Sequence, residues 1–183
     1  DTEDLTRYPH TESADTALLA SHAVDVIFAP APEDVYPLGF ASQVTVGGMA
    51  DLLEGQFRPG HFAGVTTVVA KLFGMTLPDR AYFGEKDWQQ VQVIARMTAD
   101  LNLNVALQIC ATARASDGMA LSSRNARLSP ADRAIAAQLH PVMRACAQDL
   151  IQGQAVTQSL AKAQEALIGY GFEKIDYFAY CDG

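Results

Sequence analysis

Three short stretches concentrate the side chains that could do chemistry. In YFGEKDWQQ, residues 82–90, an apolar run ends at Gly84, and Glu85, Lys86, Asp87, Gln89 and Gln90 follow. Such a junction between a strand and a helix aims backbone amides at anions. Lys86 adds a mobile cation. A unit-charge pair near 4 Å at an effective dielectric of 20 is worth about 4 kcal/mol before desolvation, enough to matter for a polyphosphate. Asp87 suits a ribose hydroxyl or a helix N-cap. A second stretch, ALSSRN (Ala120 to Asn125), places two hydroxyls before a guanidinium. Ser122 and Ser123 could donate to a phosphate tail while Arg124 binds it as a charge-assisted fork. In the third, RPGHF (Arg58 to Phe62), Arg58 could clamp a carboxylate and His61 could donate a hydrogen bond. Gly60 lets backbone approach a ligand there. Each stretch also has a plainer reading in isolation: a capped helix with a surface lysine, a polar inter-domain loop, and a Pro-Gly turn with exposed side chains. For the first two the plainer reading is the stronger one; for the third the two are equal.

The elements that must position these residues follow from composition and period. The chain has 183 residues, 49% hydrophobic and 19% charged, enough for one domain or slightly more with a real core. A net charge of −8 excludes a general phosphate-backbone binder, since no basic stripe could neutralise nucleic acid. No apolar run approaches a membrane span. The three cysteines, Cys110, Cys146 and Cys181, lack CxxC spacing and read as reduced thiols of a cytoplasmic protein.

Residues 12–23 have helical character and lead into a short apolar run, 24–30, expected as a strand. The Pro-rich 30–40 reads as loop. Alternation in SQVTVG, 42–47, suggests an exposed strand. Val65, Val68, Val69 and Leu72 recur at helical spacing. Then come a strand at 79–84, a helix at 87–102 with Val91, Ile94 and Met97 or Thr98 along one side, and a strand at 104–113. Strands alternating with helices imply an α/β fold, a Rossmann-like parallel sheet flanked by helices. Near residue 117 the pattern changes. Ser129, Pro130 and Asp132 form a helix start. The helix runs to about Leu150, kinked or split by Pro141. A second helix at 157–171 ends at Gly169 and Gly171, and KIDYFAY, 174–180, reads as a final strand. The expected division is a nucleotide-binding domain at 1–116 and a smaller α+β domain at 117–183 carrying the SSRN loop at its start. A doubly wound domain ordinarily begins with a strand and a phosphate-binding turn. This chain begins with a helix and stops after a strand, so both ends read as cut.

In combination and in this order, EGQFRPGHFAGVTTVVAKLF, AYFGEKDWQQ and DGMALSSRN resemble the pantoate–β-alanine ligase family. That family belongs to a nucleotidyltransferase superfamily related to class I aminoacyl-tRNA synthetases. DLTRYPHTESAD and VDVIFAPAPEDVYPLG resemble its preceding segments, so the similarity covers nearly the whole chain. The resemblance implies an ATP-dependent condensation of pantoate with β-alanine through a pantoyl adenylate, releasing pyrophosphate and AMP. It implies a nucleotide site of Gly84, Glu85, Lys86, Asp87, Ala113, Leu121, Ser122, Ser123 and Arg124. Lys86, Ser122, Ser123 and Arg124 would act on the phosphates, and Gln90, Arg58 and His61 would hold pantoate. It implies magnesium as well, held mainly by ATP oxygens and water. Asp15 is the one carboxylate at a matching position, beside Ser13 and Ala14 where carboxylates are lacking. A cytoplasmic homodimer is implied, with small molecules as partners. Such chemistry needs positioning and charge stabilisation more than a nucleophile, in keeping with the lack of a Ser-His-Asp or Cys-His signature.

The departures are specific. His10 replaces an arginine, Val35 a methionine, and Ala111 a proline. The family's histidine-containing turn after its first strand and its NPxQF segment are absent, and both are expected to precede Asp1. The 183 residues alone are accordingly expected to be inactive. Two other readings remain at this point: a nucleotide-binding fragment that ligates nothing, and an adenylyltransferase with a different acceptor.

Overall fold

The computed structural model describes residues 11–181. The position of His10 lies outside them. The site is organised by one β-α-β unit. Strand β1 (Arg80–Gly84) pairs in parallel with β2 (Ala106–Cys110), in register from Arg80 opposite Ala106 to Gly84 opposite Cys110. The helix between them, Trp88–Asp100, buries Val91, Ile94, Met97 and Thr98 as its period predicts, and Val93 as well. Parallel pairing puts both carboxyl ends at the same edge, where the loops after Gly84 and Cys110 emerge.

In chain order the helices are α1 (Glu12–Ser21), α2 (Pro32–Val35), α3 (Glu54–Phe57), α4 (His61–Thr76), α5 (Trp88–Asp100), α6 (Pro130–Ala136), α7 (Leu139–Ile151) and α8 (Val156–Tyr170). Phe73 of α4 meets Ile94 and Met97 of α5 in a core extended by Ala81, Phe83 and Leu107 from the sheet. The rings of Phe73 and Phe83 pack edge-on at 6.5 Å. The opposite sheet face, at Tyr82 and Gln108, is exposed among the described residues.

Three expected strands do not form among the described residues. Residues 24–30 are irregular, with Val26, Ile27 and Phe28 exposed and no ladder partner. Residues 42–47 join no ladder, and a helix satisfies the backbone of Val44 instead. The Val44 N–H donates to Thr67 Oγ1 at 2.9 Å, and Thr66 Oγ1 donates to the Val44 carbonyl at 2.6 Å. Two adjacent threonines on α4 thus stand in for a neighbouring strand. Residues 174–180 form no ladder, and their apolar side chains Ile175 and Phe178 pack on helices instead. The second strand of the sheet is also shorter than the expected 104–113. Within the Pro-rich stretch, Pro32 opens a single helical turn, consistent with its preference for a first helical position.

Beyond residue 117 the helices behave as their caps direct. Ser129 accepts from the Asp132 N–H at 3.1 Å and starts α6. Pro141 splits the expected long helix. The helix restarts at Leu139, so that Pro141 falls in a first turn, where its missing N–H costs nothing. Gly171 ends α8 at φ 105, where a Cβ would lie 3.1 Å from Ile135. Val142 and Cys146 of α7 pack on Ala163 and Leu167 of α8, a second core distinct from the first.

Candidate functional site

At the carboxyl end of β1 the chain makes a 3-10 turn, Glu85–Asp87, and enters α5. Glu85 accepts from the Thr112 N–H at 3.0 Å, tying this turn to the segment that leaves β2. Lys86 Nζ lies 3.1 Å from Asp87 Oδ1, both side chains well exposed. A surface pair of this kind is worth roughly 0–1 kcal/mol, so an anion can recruit Lys86 at small cost. Asp87 stands at the N-cap position of α5 and makes no side-chain cap bond. The first-turn amides of α5 are therefore not met by Asp87, and their dipole favours negative charge.

The facing wall is the turn at 48–61. Leu53 sits at φ 46, ψ −115, a conformation costing a non-glycine residue about 1–3 kcal/mol. Gly55 is packed so tightly that a Cβ would fall 1.9 Å from the Ala50 carbonyl oxygen. Gln89 of α5 reaches this turn. Its Nε2 donates to Met49 O at 2.7 Å and Leu52 O at 2.8 Å, and its Oε1 accepts from the Glu54 N–H at 3.2 Å. Glu54 holds the Arg58 guanidinium at 3.0 Å and bonds the Tyr177 hydroxyl, while Phe57 stacks on the Tyr177 ring at 5.7 Å. Burial and the Glu54 carboxylate push the Tyr177 phenol up. Gly60, left-handed at φ 79, turns the chain into α4, whose first residue is His61. Burial, then the Arg58 charge, pull the His61 imidazole below its ordinary value; Glu54 opposes them, and Arg124 adds a lesser downward pull. His61 is thus neutral near pH 7.

The third component is the loop between β2 and α6. Arg114 and Ala120 form an antiparallel bridge, and the Leu121 N–H donates to Ala113 O at 2.9 Å. Ser122 accepts from the Arg124 N–H at 3.3 Å at the start of a 3-10 turn, Ser123–Arg127. Asn125 Nδ2 donates to Ala120 O at 2.9 Å. Asp117, its carboxyl held low by the Met119 N–H and Arg133, pairs with Arg133 at 2.8 Å.

A cleft of ≈ 1120 Å³ opens between these components. It brings together Lys86, Asp87, Gln90, Arg58, His61 and Arg124 of the residues singled out from sequence. Four cations (Arg58, Lys86, Arg124, Arg127) line it against two carboxylates (Glu54, Asp87), an excess of two positive charges in a chain of net −8. Gly84 ends β1, and Glu85, Ala113, Leu121, Ser122 and Ser123 stand on the adjoining loops; none of the six lines the cleft. Asp15 lies exposed on α1 and accepts from Thr11 Oγ1 at 2.9 Å. Among the described residues no group of three or more His, Cys, Asp or Glu could hold a metal ion. These residues therefore do not build a magnesium cage. Among the described residues no helix is long and apolar enough to cross a membrane.

Sequence reasoning missed Glu54, Arg127, Trp88 and Tyr177 in the cleft and gave Gln89 no role. Glu54 carried a usable signal, its spacing of four from Arg58 within a helical turn. Tyr177 carried none, because it arrives from about 120 residues away in sequence.

The family model described as pantoate-beta-alanine ligase matches residues 1–183. A pantothenate synthetase of Cereibacter sphaeroides is 58% identical over 174 residues, 95% of this chain and 62% of the relative. One from Ruegeria pomeroyi is 49% identical over 96% of this chain and 62% of its own length. Among solved structures, pantothenate synthetase from Thermus thermophilus superposes with a TM-score of 0.89 at 46% identity, covering 93% of this chain and 62% of that one. The pantoate-beta-alanine ligase of Francisella tularensis, crystallised with beta-gamma ATP and beta-alanine, gives a TM-score of 0.81 at 35% identity, again over 93% and 62%. The chain thus spans 62% of the length of these relatives.

Proposed function

The chain belongs to the pantoate–β-alanine ligase family, and from that premise we propose that its cleft binds ATP and pantoate side by side and condenses pantoate with β-alanine. One observation carries the proposal. Lys86 and Arg124 share a single cleft with Arg58, His61 and Gln90.

In the first step a pantoate carboxylate oxygen attacks the α-phosphorus of ATP, and the bond to the bridging oxygen breaks to release pyrophosphate. Lys86 and Arg124, with the hydroxyls of Ser122 and Ser123, neutralise charge as it grows on the departing group. The loop of Gly84 and Glu85, with Ala113 and Leu121 behind it, frames the nucleotide, and Asp87 takes the ribose. Arg58 and Gln90 orient the acid. A neutral His61 donates a hydrogen bond without competing with the cations for charge. In the second step the amine of β-alanine attacks the acyl carbon, AMP leaves, and the nitrogen sheds a proton to give the amide. Positioning of this kind can supply much of the barrier lowering. The working protein is a cytoplasmic homodimer in this reading. Its chain divides near residue 116, supported by the two separate apolar cores.

The test is isotope exchange in the full-length protein. Labelled pyrophosphate should enter ATP only when pantoate is present, and β-alanine should then draw label-free AMP from the same mixture. Nucleotide binding without pantoate-dependent exchange would refute the ligase reading, and exchange driven equally by other acids would point to a different acceptor.

A further inference from the structure

The three hydrogen bonds of Gln89 span 35 to 40 residues and converge on one turn. They are placed unusually. Leu52 O and the Glu54 N–H are the peptide groups on either side of Leu53, the residue at φ 46. The side-chain amide therefore pairs with the turn as a backbone amide would, one acceptor and one donor, and its remaining hydrogen goes to Met49 O. Both Nε2 hydrogens are spent. Gln89 borders the cleft, yet its amide is committed to the protein, whereas its neighbour Gln90 lies about 100° further around the helix. Strained backbone persists only where its surroundings over-determine it. Here Gln89 does so from one side and the Gly55–Ala50 contact from the other. What the turn delivers is Glu54, and Glu54 holds Arg58.

We propose that Gln89 is a positioning residue. It fixes the strained turn at Leu53, so that Arg58 and His61 stand at a set distance from Lys86 and Gln90. The inference rests on the ligase reading for what the distance serves, but not for the geometry itself. Gln89 acts through Glu54 and Arg58 and touches no reacting atom.

Gln89→Met keeps the length and apolar stem of the side chain and deletes every bond to the turn. In the full-length protein it should raise the KM for pantoate about tenfold and leave the KM for ATP within twofold. In an Arg58→Lys background the same change should cost less than twofold, because its target is already displaced. Hydrogen exchange at the Glu54 amide should accelerate at least tenfold, while amides of β1 and β2 stay protected. An equal rise in both KM values, a full tenfold effect in the Arg58→Lys background, or unchanged Glu54 exchange would each overturn the proposal. A lowered Tm with unaltered kinetic constants would do the same, reducing Gln89 to a purely structural role. Should the wild type show no pantoate-dependent turnover, the ligase reading fails. The exchange rate at Glu54 alone then decides whether the staple exists.

Discussion

The two sides of the cleft are held in different ways. The wall formed by the 48–61 turn and the start of α5 is fixed by contacts distant in sequence: Gln89 to Met49, Leu52 and Glu54, and Glu85 to Thr112 across 27 residues. In the loop carrying Ser122 and Arg124, Ser122 accepts from the Arg124 N–H, Asn125 donates to Ala120 O, and Arg133 donates to Asp117 across 16 residues. The first wall is a product of tertiary structure. The second carries short-range bonds that shape its own turn, and Thr112 ties it to the first. Loss of the Gln89 bonds should therefore propagate through the site, and loss of the Asn125–Ala120 bond should stay local.

Lys86→Ala is the severest expected change. Removing the cation that the proposed mechanism sets against the phosphates should cost roughly 2.7–4 kcal/mol of barrier, a loss of about 10²–10³ in kcat measured at saturating ATP. A loss under tenfold would make Lys86 an ordinary surface residue. Next comes Gly55→Ala, whose methyl would have to displace the Ala50 backbone. A destabilisation of about 3 kcal/mol is expected, seen as a fall of roughly 6–12 °C in Tm for a domain of this size. An unchanged Tm would show that the first wall is looser than its contacts imply. Asn125→Ala samples the second wall. It deletes one hydrogen bond to Ala120, and a loss of about 1 kcal/mol in denaturant unfolding is expected. A cost equal to that of Gly55→Ala would erase the distinction between the walls.

The smallest effect concerns pH. The folded His61 has a pKa below its unfolded value of 6.5. As pH falls through about 6.5 the unfolded chain takes up the proton first, so stability is constant above that point and declines below it. His61→Gln should flatten part of the decline between pH 7 and 5 in urea unfolding. An identical slope in both proteins would remove His61 from the account.

This contrast also explains what could be read from residues alone. The helix α5 was legible because Val91, Ile94 and Met97 repeat at helical spacing, and the start of α6 because Ser129, Pro130 and Asp132 cap it locally. Lys86 and Arg124 were legible as charged groups at a strand exit and in a hydroxyl-rich loop. The roles of Gln89 and Tyr177 were not, since nothing near either residue indicates a partner some 40 or 120 residues distant. Alternation at 42–47 reads as a strand because period reports facing, not the partner. Here the partner is a pair of helix threonines. The apolar 24–30 and 174–180 likewise announce burial or pairing without saying where it is found.

The central claim is that Lys86, Arg124, Gln90 and Arg58 act on one nucleotide and one hydroxy acid held together. A crystal structure of the full-length protein with pantoate and a non-hydrolysable ATP analogue tests it most directly. The expected result is the triphosphate within hydrogen-bonding distance of Lys86 and Arg124, and the pantoate hydroxyl and carboxylate at Gln90 and Arg58. Nucleotide or pantoate bound outside this cleft, with those four side chains touching neither, would contradict it.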